Sequence, residues 1–301
     1  MSGVESHNTR LLAYSLFVKI ENFVIFIPAH RNTRTVICNY IKTHMNNRLK
    51  LIFLFFSVSF FSQKPNLDNW EKSNLPLGDS IYKANNSKNH WIFEKINNDW
   101  MINQRKFNKN NGDKLEIPKE IIEKNKRILD TYNGKIKKVN DEYIVGLNGG
   151  EFSGGLYIVS HNGERITELN CCMRVQEIFE YNNKILAITG LSHLGLSYGN
   201  IIEIKKDNSW SFKEVSKLIE APDFTIEHNN TRLIITDQHI LKLNNKNEIS
   251  TVLKSPFYWG MLYPSNALID GNDIYLSMRK GILKILSFDN NPEYEWYIPK
   301  K

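Results

Sequence analysis

The chain has 301 residues, 41% of them hydrophobic and 24% charged, which is enough to form one large folded domain. Lysine and arginine (39) exceed aspartate and glutamate (32), giving a formal net charge of +7. Positions 1–63 contain seven of the basic residues and two of the acids, so the rest of the chain carries +2 and lacks the basic surplus typical of nucleic-acid binding.

An export signal is predicted within the N-terminal region. Met45 is followed by Arg48 and Lys50, and then by an uncharged apolar run over 51–62 that ends in small residues. This run is shorter than the roughly 20 residues that a membrane-spanning helix needs. We therefore predict a cleaved signal peptide at 45–62, no permanent membrane anchor, and a secreted or periplasmic location.

The residues before this signal are expected to lie outside the native protein, with translation beginning at Met45. Positions 1–44 contain apolar pieces divided by Lys19, Glu21 and Asn22, without recognisable cap or turn residues. A genuine cytoplasmic or membrane-associated extension is the alternative.

The next segment, 63–132, is interpreted as a lead-in that packs on the main domain. It is rich in Asn and Lys and contains a possible hairpin over 91–104, within a possible further blade over 88–117. A single helix is predicted from Pro118 to a stop at Gly134. The apolar residues of this helix share one face: Ile121, Ile122, Ile128, Leu129 and Tyr132.

From about residue 133 onward the sequence repeats a unit of four short strands. First strands begin near Lys135, Val175, Asp223 and Ala267, a period of about 40 to 48 residues that is typical of propeller blades. Each unit has a tight turn after its first strand whose residues tolerate positive φ: Asn140–Asp141, Asn182–Asn183, Asn229–Asn230 and Gly271–Asn272.

This pattern resembles the β-propeller repeat class that includes the NHL, kelch-like and lyase-type propellers. The resemblance implies an all-β propeller of four or five four-stranded blades over 133–301, behind the lead-in. Neither a WD dipeptide nor a kelch double glycine recurs in each unit, so the resemblance is to the class as a whole. A two-sheet sandwich is the alternative, although it would not predict a four-strand period.

The connections between strands differ in length according to the face on which a propeller would place them. First-to-second and third-to-fourth turns are short and polar, whereas second-to-third loops and the links between units are long and unusual. We call the end that carries the second group the long-loop face. Because binding residues concentrate on loops held by a rigid scaffold, function is expected there.

The candidate ligand-binding residues all come from this face. Glycine pairs flank Glu151 and Phe152 in NGGEFSGG, and the loop over 190–199 contains Ser192 and His193. The aromatic residues of the 255–265 link would either stack on a ligand or plug the central tunnel. The complete predicted set is Glu151, Phe152, Arg174, His193, Tyr198, Tyr258, Trp259, Tyr263 and Arg279.

Three classes of function remain open from the sequence. The first is an exported propeller that binds a small molecule, glycan or peptide. The second is a hydrolase or lyase in which Glu151 and His193 act as acid and base. The third is a protein–protein interaction module. Familiar nucleophile, metalloprotease, P-loop and dinucleotide motifs are missing from 64–301, and no cofactor or metal is expected.

The two cysteines of the predicted mature chain are expected to be free thiols. Cys171 and Cys172 are adjacent, and neighbouring α-carbons lie only about 3.8 Å apart, below the usual disulfide range. A vicinal bridge is the alternative.

Overall fold

The computed structural model describes residues 64–97, 99–105, 117–129 and 133–300, together with the course of two strands nearer the N-terminus. The chain divides into two units, Met1–Ser62 and Gln63–Lys301. In the first unit, β1 (Ser15–Ile20) pairs with β2 (Phe23–Pro28) as an antiparallel hairpin. The predicted signal peptide at 45–62 and the rest of 1–44 lie outside the described residues.

The second unit is an all-β propeller built from consecutive antiparallel blades. Blade 1 contains β6 (Asn133–Val139), β7 (Glu142–Asn148), β8 (Gly154–Ser160) and β9 (Ile166–Asn170). Blade 2 contains β10 (Val175–Tyr181), β11 (Lys184–His193), β12 (Leu196–Lys206) and β13 (Trp210–Leu218). Blade 3 contains β14 (Pro222–His228), β15 (Thr231–Thr236), β16 (His239–Leu243) and β17 (Ile249–Lys254). Blade 4 contains β18 (Asn266–Asp270), β19 (Asp273–Ser277), β20 (Ile282–Leu286) and β21 (Glu293–Pro299).

The blades follow one another through their first strands. β10 packs against β6 and β7, β14 against β10 and β11, and β18 against β14. Strands pair in sequence order within each blade, which is the expected propeller arrangement and differs from a two-sheet sandwich. Hydrophobic clusters fill the spaces between consecutive blades, and this is why the middle strands are buried along most of their length.

The lead-in contributes one more strand and one two-stranded hairpin to this unit. β3 (Trp70–Ser73) pairs with β21 and becomes the outermost strand of blade 4, so the lead-in and the last strand of the chain share one sheet. The helix α1 (Ser80–Asn85) follows. The hairpin predicted over 91–104 is confirmed as β4 (Trp91–Ile96) and β5 (Asp99–Gln104), with β4 packed against β18 and β19.

Hydrogen bonds from blade 4 hold that hairpin in place. Asn266 accepts from the backbone N–H of Phe93 (3.0 Å) and donates to the carbonyl of the same residue (2.7 Å). The β4–β5 hairpin stands where a fifth blade is expected. Within the described residues it has two strands, whereas a complete blade would have four.

The predicted single helix is divided into two short helices, α2 (Lys119–Lys124) and α3 (Lys126–Leu129). Asn125 interrupts it because its side chain bonds the carbonyl of Ile121 (3.0 Å) and reaches across to the carbonyl of Gly163 (2.9 Å). Local competition of this kind is typical of asparagine within helices. The contact ties the helical segment to blade 1.

The predicted turn chemistry is confirmed. Asn140, Asn182, Asn229 and Gly271 have φ of 52°, 50°, 47° and 62°, the left-handed values that tight hairpins require. In the described part of the chain, no helix is long and apolar enough to cross a membrane.

Candidate functional site

The segment 190–199 is a β-hairpin that extends from the long-loop face, whereas the sequence suggested an irregular loop. β11 and β12 continue to pair through Ser192 with Ser197 and His193 with Leu196. The tip is Leu194–Gly195, with φ of 48° and 83°, so a two-residue turn closes the hairpin. Because the strands are regular, the hairpin holds Ser192 and His193 at fixed positions.

Glu151 and His193, which lie on different blades, are in direct contact. The Oε2 atom of Glu151 meets Nε2 of His193, and both side chains remain partly exposed. Glu151 lies in the β7–β8 loop of blade 1, and His193 lies near the tip of the blade 2 hairpin. The carboxylate and imidazole therefore satisfy the distance requirement for an acid–base pair.

Arg174 fixes the loop that carries Glu151. Its guanidinium donates to the backbone carbonyls of Gly150 (3.0 Å), Glu151 (2.6 Å) and Cys172 (2.8 Å). Arg174 was predicted to bind polar groups of a ligand. These three bonds give it a positioning role, since they use much of its donor capacity on the backbone.

A second set of polar side chains converges beside His193. The hydroxyls of Ser192 and Tyr258 lie 2.8 Å apart, which joins the blade 2 hairpin to the 255–265 link. Ser197 donates to Asp237 at 2.5 Å and accepts from the backbone of Ala221 at 2.8 Å. Asp237, which follows β15, is 4% exposed.

Gly260 is required for this close packing. A Cβ atom at that position would lie 2.5 Å from Oδ1 of Asp237, and the Gly260 backbone N–H donates to the Asp237 carbonyl at 2.9 Å. The 255–265 link can therefore approach blade 3 only where it has no side chain.

Asp223 is the most unusual residue of this set. Its Oδ2 atom is enclosed and has no hydrogen-bond partner among the described residues. Burial raises the pKa of Asp223 well above its ordinary value, and the neighbouring carboxyls of Asp237 and Glu220 raise it further. The carboxyl of Glu220, by contrast, bonds Nδ1 of His239 (2.9 Å), the Thr236 hydroxyl (2.8 Å) and the Gln238 backbone (2.8 Å).

Sequence reasoning missed Asp223 and Asp237 as site residues, although a signal was present. Asp223 begins the strand pattern DFTIEH and Asp237 ends the pattern RLIITD. β14 and β15 are antiparallel, with Pro222 opposite Thr236, so the start of one strand and the end of the next share one edge. Two carboxylates at the adjacent ends of paired strands are expected to lie close together.

The aromatic residues of the 255–265 link divide between core and surface. Trp259 is 0% exposed, and its indole N–H donates to the Thr236 carbonyl at 2.6 Å. The prediction that Trp259 stacks on a ligand is therefore corrected: its ring belongs to the hydrophobic cluster between blades 3 and 4.

Tyr258, next to Trp259, is 38% exposed. Burial raises the pKa of its phenol to about 12, and although the Ser192 hydrogen bond opposes the change, the charge of Asp237 adds to it. Tyr258 is therefore a neutral hydrogen-bonding phenol near neutral pH.

Tyr263 and Arg279 form a separate contact. The Arg279 guanidinium lies 4.5 Å from the Tyr263 ring centroid and donates to the carbonyl and side chain of Asn85 (2.7 and 2.6 Å). The Tyr263 carbonyl bonds Nε2 of His90 at 2.8 Å. These contacts join the 255–265 link to the end of α1.

Large apolar side chains are exposed around the same face. Phe152 and Leu194, at the tips of the blade 1 loop and the blade 2 hairpin, are 88% and 89% exposed. Five further exposed residues lie on the same hairpin or on links at this face: Leu196, Tyr198, Ile219, Tyr258 and Tyr263.

Cys171 and Cys172 are free and exposed in the link between blades 1 and 2, with their sulfur atoms 2.9 Å apart. The neighbouring Cys172 thiol raises the pKa of Cys171. Across the described residues, no group of three or more His, Cys, Asp or Glu side chains is arranged to hold a metal ion.

Comparison with known proteins gives limited similarity. No family model matches the sequence, and neither does any curated protein. A structural genomics protein of unknown function from Bacteroides thetaiotaomicron is 10% identical, with a TM-score of 0.35, 54% of this chain covered and 42% of that one, so the match spans under half of it.

Two lyase structures are similar over a larger part of the chain. A catalytically inactive virginiamycin B lyase from Staphylococcus aureus, solved with quinupristin, is 14% identical over 77% of this chain and 75% of its own, with a TM-score of 0.37. A streptogramin B lyase is 12% identical over 77% and 73%, with a TM-score of 0.36. Similarity of this extent assigns neither an activity nor a ligand to this chain.

Proposed function

We propose that this protein is an exported propeller that binds a small molecule, glycan or peptide on its long-loop face. The observation that carries this proposal is the concentration of exposed apolar side chains around a buried polar network at one end of the molecule. Soluble proteins rarely leave contiguous apolar surface uncovered unless it contacts a partner or ligand.

Each part of the face would have a distinct role in binding. Tyr258 would offer an aromatic surface and a phenolic hydroxyl, while Phe152 and Leu194 would cover apolar parts of the ligand. Ser192 and Glu151 would supply polar contacts from positions that the hairpin and Arg174 keep fixed. Such a site combines apolar lining with a few oriented polar groups.

Ligand-observed NMR with mixtures of oligosaccharides, short peptides and small aromatic compounds would test this function. A true ligand should lose about 10-fold or more in affinity for Tyr258→Ala, because interface aromatics often dominate binding energy. Lys246→Ala, an exposed position in the β16–β17 turn on the opposite face, is the matched control. Binding that neither Tyr258→Ala nor Phe152→Ala alters would overturn the proposal.

A second candidate, a hydrolase or lyase, is favoured by the contact between Glu151 and His193. General acid–base groups contribute about 10²- to 10⁴-fold to a rate, so Glu151→Gln and His193→Gln should each reduce turnover by a factor in that range. The assay is product formation from panels of glycoside, ester and lactone substrates. Turnover that survives both substitutions would exclude this pair as the catalytic groups.

A further inference from the structure

The polar centre of the long-loop face brings together the carboxyl groups of Asp223, Asp237 and Glu220, which are close enough to act on one another. The charged groups acting on Asp223 are both carboxyls: Asp237, from the β15–β16 turn, and Glu220, from the link before β14. The third neighbouring element, the 255–265 link, presents the neutral phenol of Tyr258. The Nδ1 atom of His239 lies 2.9 Å from the Glu220 carboxyl.

The enclosed oxygen of Asp223 therefore lacks what buried carboxylates normally have. A buried acceptor without a donor costs about 1–3 kcal/mol, and more when it is charged. The free protein avoids part of this cost by keeping a proton on Asp223, which is consistent with the burial and the two neighbouring carboxyls. Asp223 as a whole remains partly exposed, although its Oδ2 atom is enclosed.

We propose that the ligand of this face is a small organic amine whose primary ammonium group pairs with the Asp223 carboxylate and whose apolar stem packs on Tyr258. Charge complementarity with Asp223 and Asp237 selects the cation, and the exposed apolar side chains select the stem. The inference rests on the proposed binding function and names the chemical class of its ligand.

Ammonium binding at this position has a proton signature. The ligand favours the ionised form of Asp223, so the proton held by the free protein is released on binding. Affinity should therefore rise with pH while Asp223 is protonated in the free state, and should level off once it is ionised. A neutral ligand of the same shape would show neither effect.

Isothermal titration calorimetry with 2-phenylethylammonium and its neutral analogue 2-phenylethanol would test the proposal. Titrations in phosphate and HEPES buffers, neither of which contains a primary amine, between about pH 6.5 and 8 report the number of protons released. We expect the ammonium to bind at least about 10-fold more tightly than the alcohol, with net proton release. Asp223→Asn should remove both the preference and the pH dependence, whereas Lys246→Ala should change neither.

Several results would overturn the inference without touching the broader binding function. Equal affinity for ammonium and alcohol, binding without proton release, or no binding of either probe would each exclude an amine site at Asp223. Tighter binding of Nα-acetyl-lysine amide than of 2-phenylethylammonium would replace the small amine with a peptide side chain. If Asp223→Asn fails to fold, the proton release measured with the wild-type protein decides whether the amine site exists. If a ligand of another class binds the wild type and loses its affinity in Tyr258→Ala, the amine inference fails while the proposed binding function stands.

Discussion

Trp259 and Tyr258 are adjacent in sequence but should respond in opposite ways to truncation. Trp259 is completely buried between blades 3 and 4, while Tyr258 keeps 38% of its surface exposed. Replacing a buried tryptophan by alanine costs about 3–5 kcal/mol through lost burial and the cavity left behind. The lost indole bond to the Thr236 carbonyl adds about 1 kcal/mol.

That cost is a large fraction of the stability of an ordinary domain, which is about 5–15 kcal/mol. Trp259→Ala should therefore shift the urea midpoint strongly, as followed by far-UV circular dichroism, which does not depend on the removed indole. Trp259→Phe keeps most of the ring and isolates the lost N–H donor, at about 1–3 kcal/mol. Tyr258→Ala should cost about 1 kcal/mol or less.

The comparison separates a core residue from a binding residue. If Trp259→Ala were as stable as Tyr258→Ala, the indole would not be part of the core. Reduced ligand binding by a fully stable Trp259→Ala would restore the ligand-stacking role that the sequence suggested.

Three further outcomes follow from the same face. Asp223→Asn should become progressively more stable than the wild type above about pH 4, by at most about 1.4 kcal/mol per pH unit. The reason is that the raised pKa of Asp223 makes its ionisation in the folded state unfavourable, so the wild type loses stability as the pH rises. Urea titrations of both proteins at several pH values would instead show a constant difference in the free energy of unfolding if the pKa of the carboxyl were unperturbed. Gly260→Ala should lower the free energy of unfolding by about 1–3 kcal/mol in the same assay because its Cβ meets Asp237. The control Gly271→Asn, at a left-handed turn, should lower it by no more than about 0.5 kcal/mol. Equal losses of stability in the two variants would count against the close contact at Gly260. Alkylation with iodoacetamide at pH 8, followed by peptide mass mapping, should modify both Cys171 and Cys172 in the folded protein, and protection of either would contradict their exposure as free thiols.

The strand pattern of 133–301 was predictable from the sequence because its determinants are local. The predicted VQEIFEY and ISTVLK segments coincide with β10 and β17, and turn residues such as Asn140 and Asn182 have the left-handed φ that their chemistry allows. Alternating apolar residues and tight turns act within a few positions, so they can be read without tertiary contacts.

Features that depend on distant parts of the chain were not predictable in the same way. A run of aromatic residues does not reveal that Trp259 lies inside an interblade cluster while Tyr258 faces outward. Asn125 divides the predicted helix through a bond to Gly163 on blade 1, which helical periodicity cannot show. The isolation of Asp223 likewise depends on which groups surround it in space.

The predicted export signal remains a sequence-based prediction, since 45–62 lies outside the described residues. N-terminal sequencing of the exported protein would test it: cleavage near residue 62 supports the prediction, and an intact N-terminus before Met45 contradicts it. The location matters because free thiols at Cys171 and Cys172 would then persist in an oxidising compartment.

The division between short turns and long connections links the fold to the candidate site. Short Asn-rich turns need no partner, since their backbone is satisfied within each hairpin. The longer connections of the opposite face contact one another instead, through Arg174 with the Glu151 loop and Ser192 with Tyr258. A propeller gathers one such connection from each blade at one end, so side chains far apart in sequence meet there. The partly exposed Glu151–His193 pair and the uncompensated Asp223 then lie on connected elements, which is the arrangement a ligand with both polar and apolar parts requires.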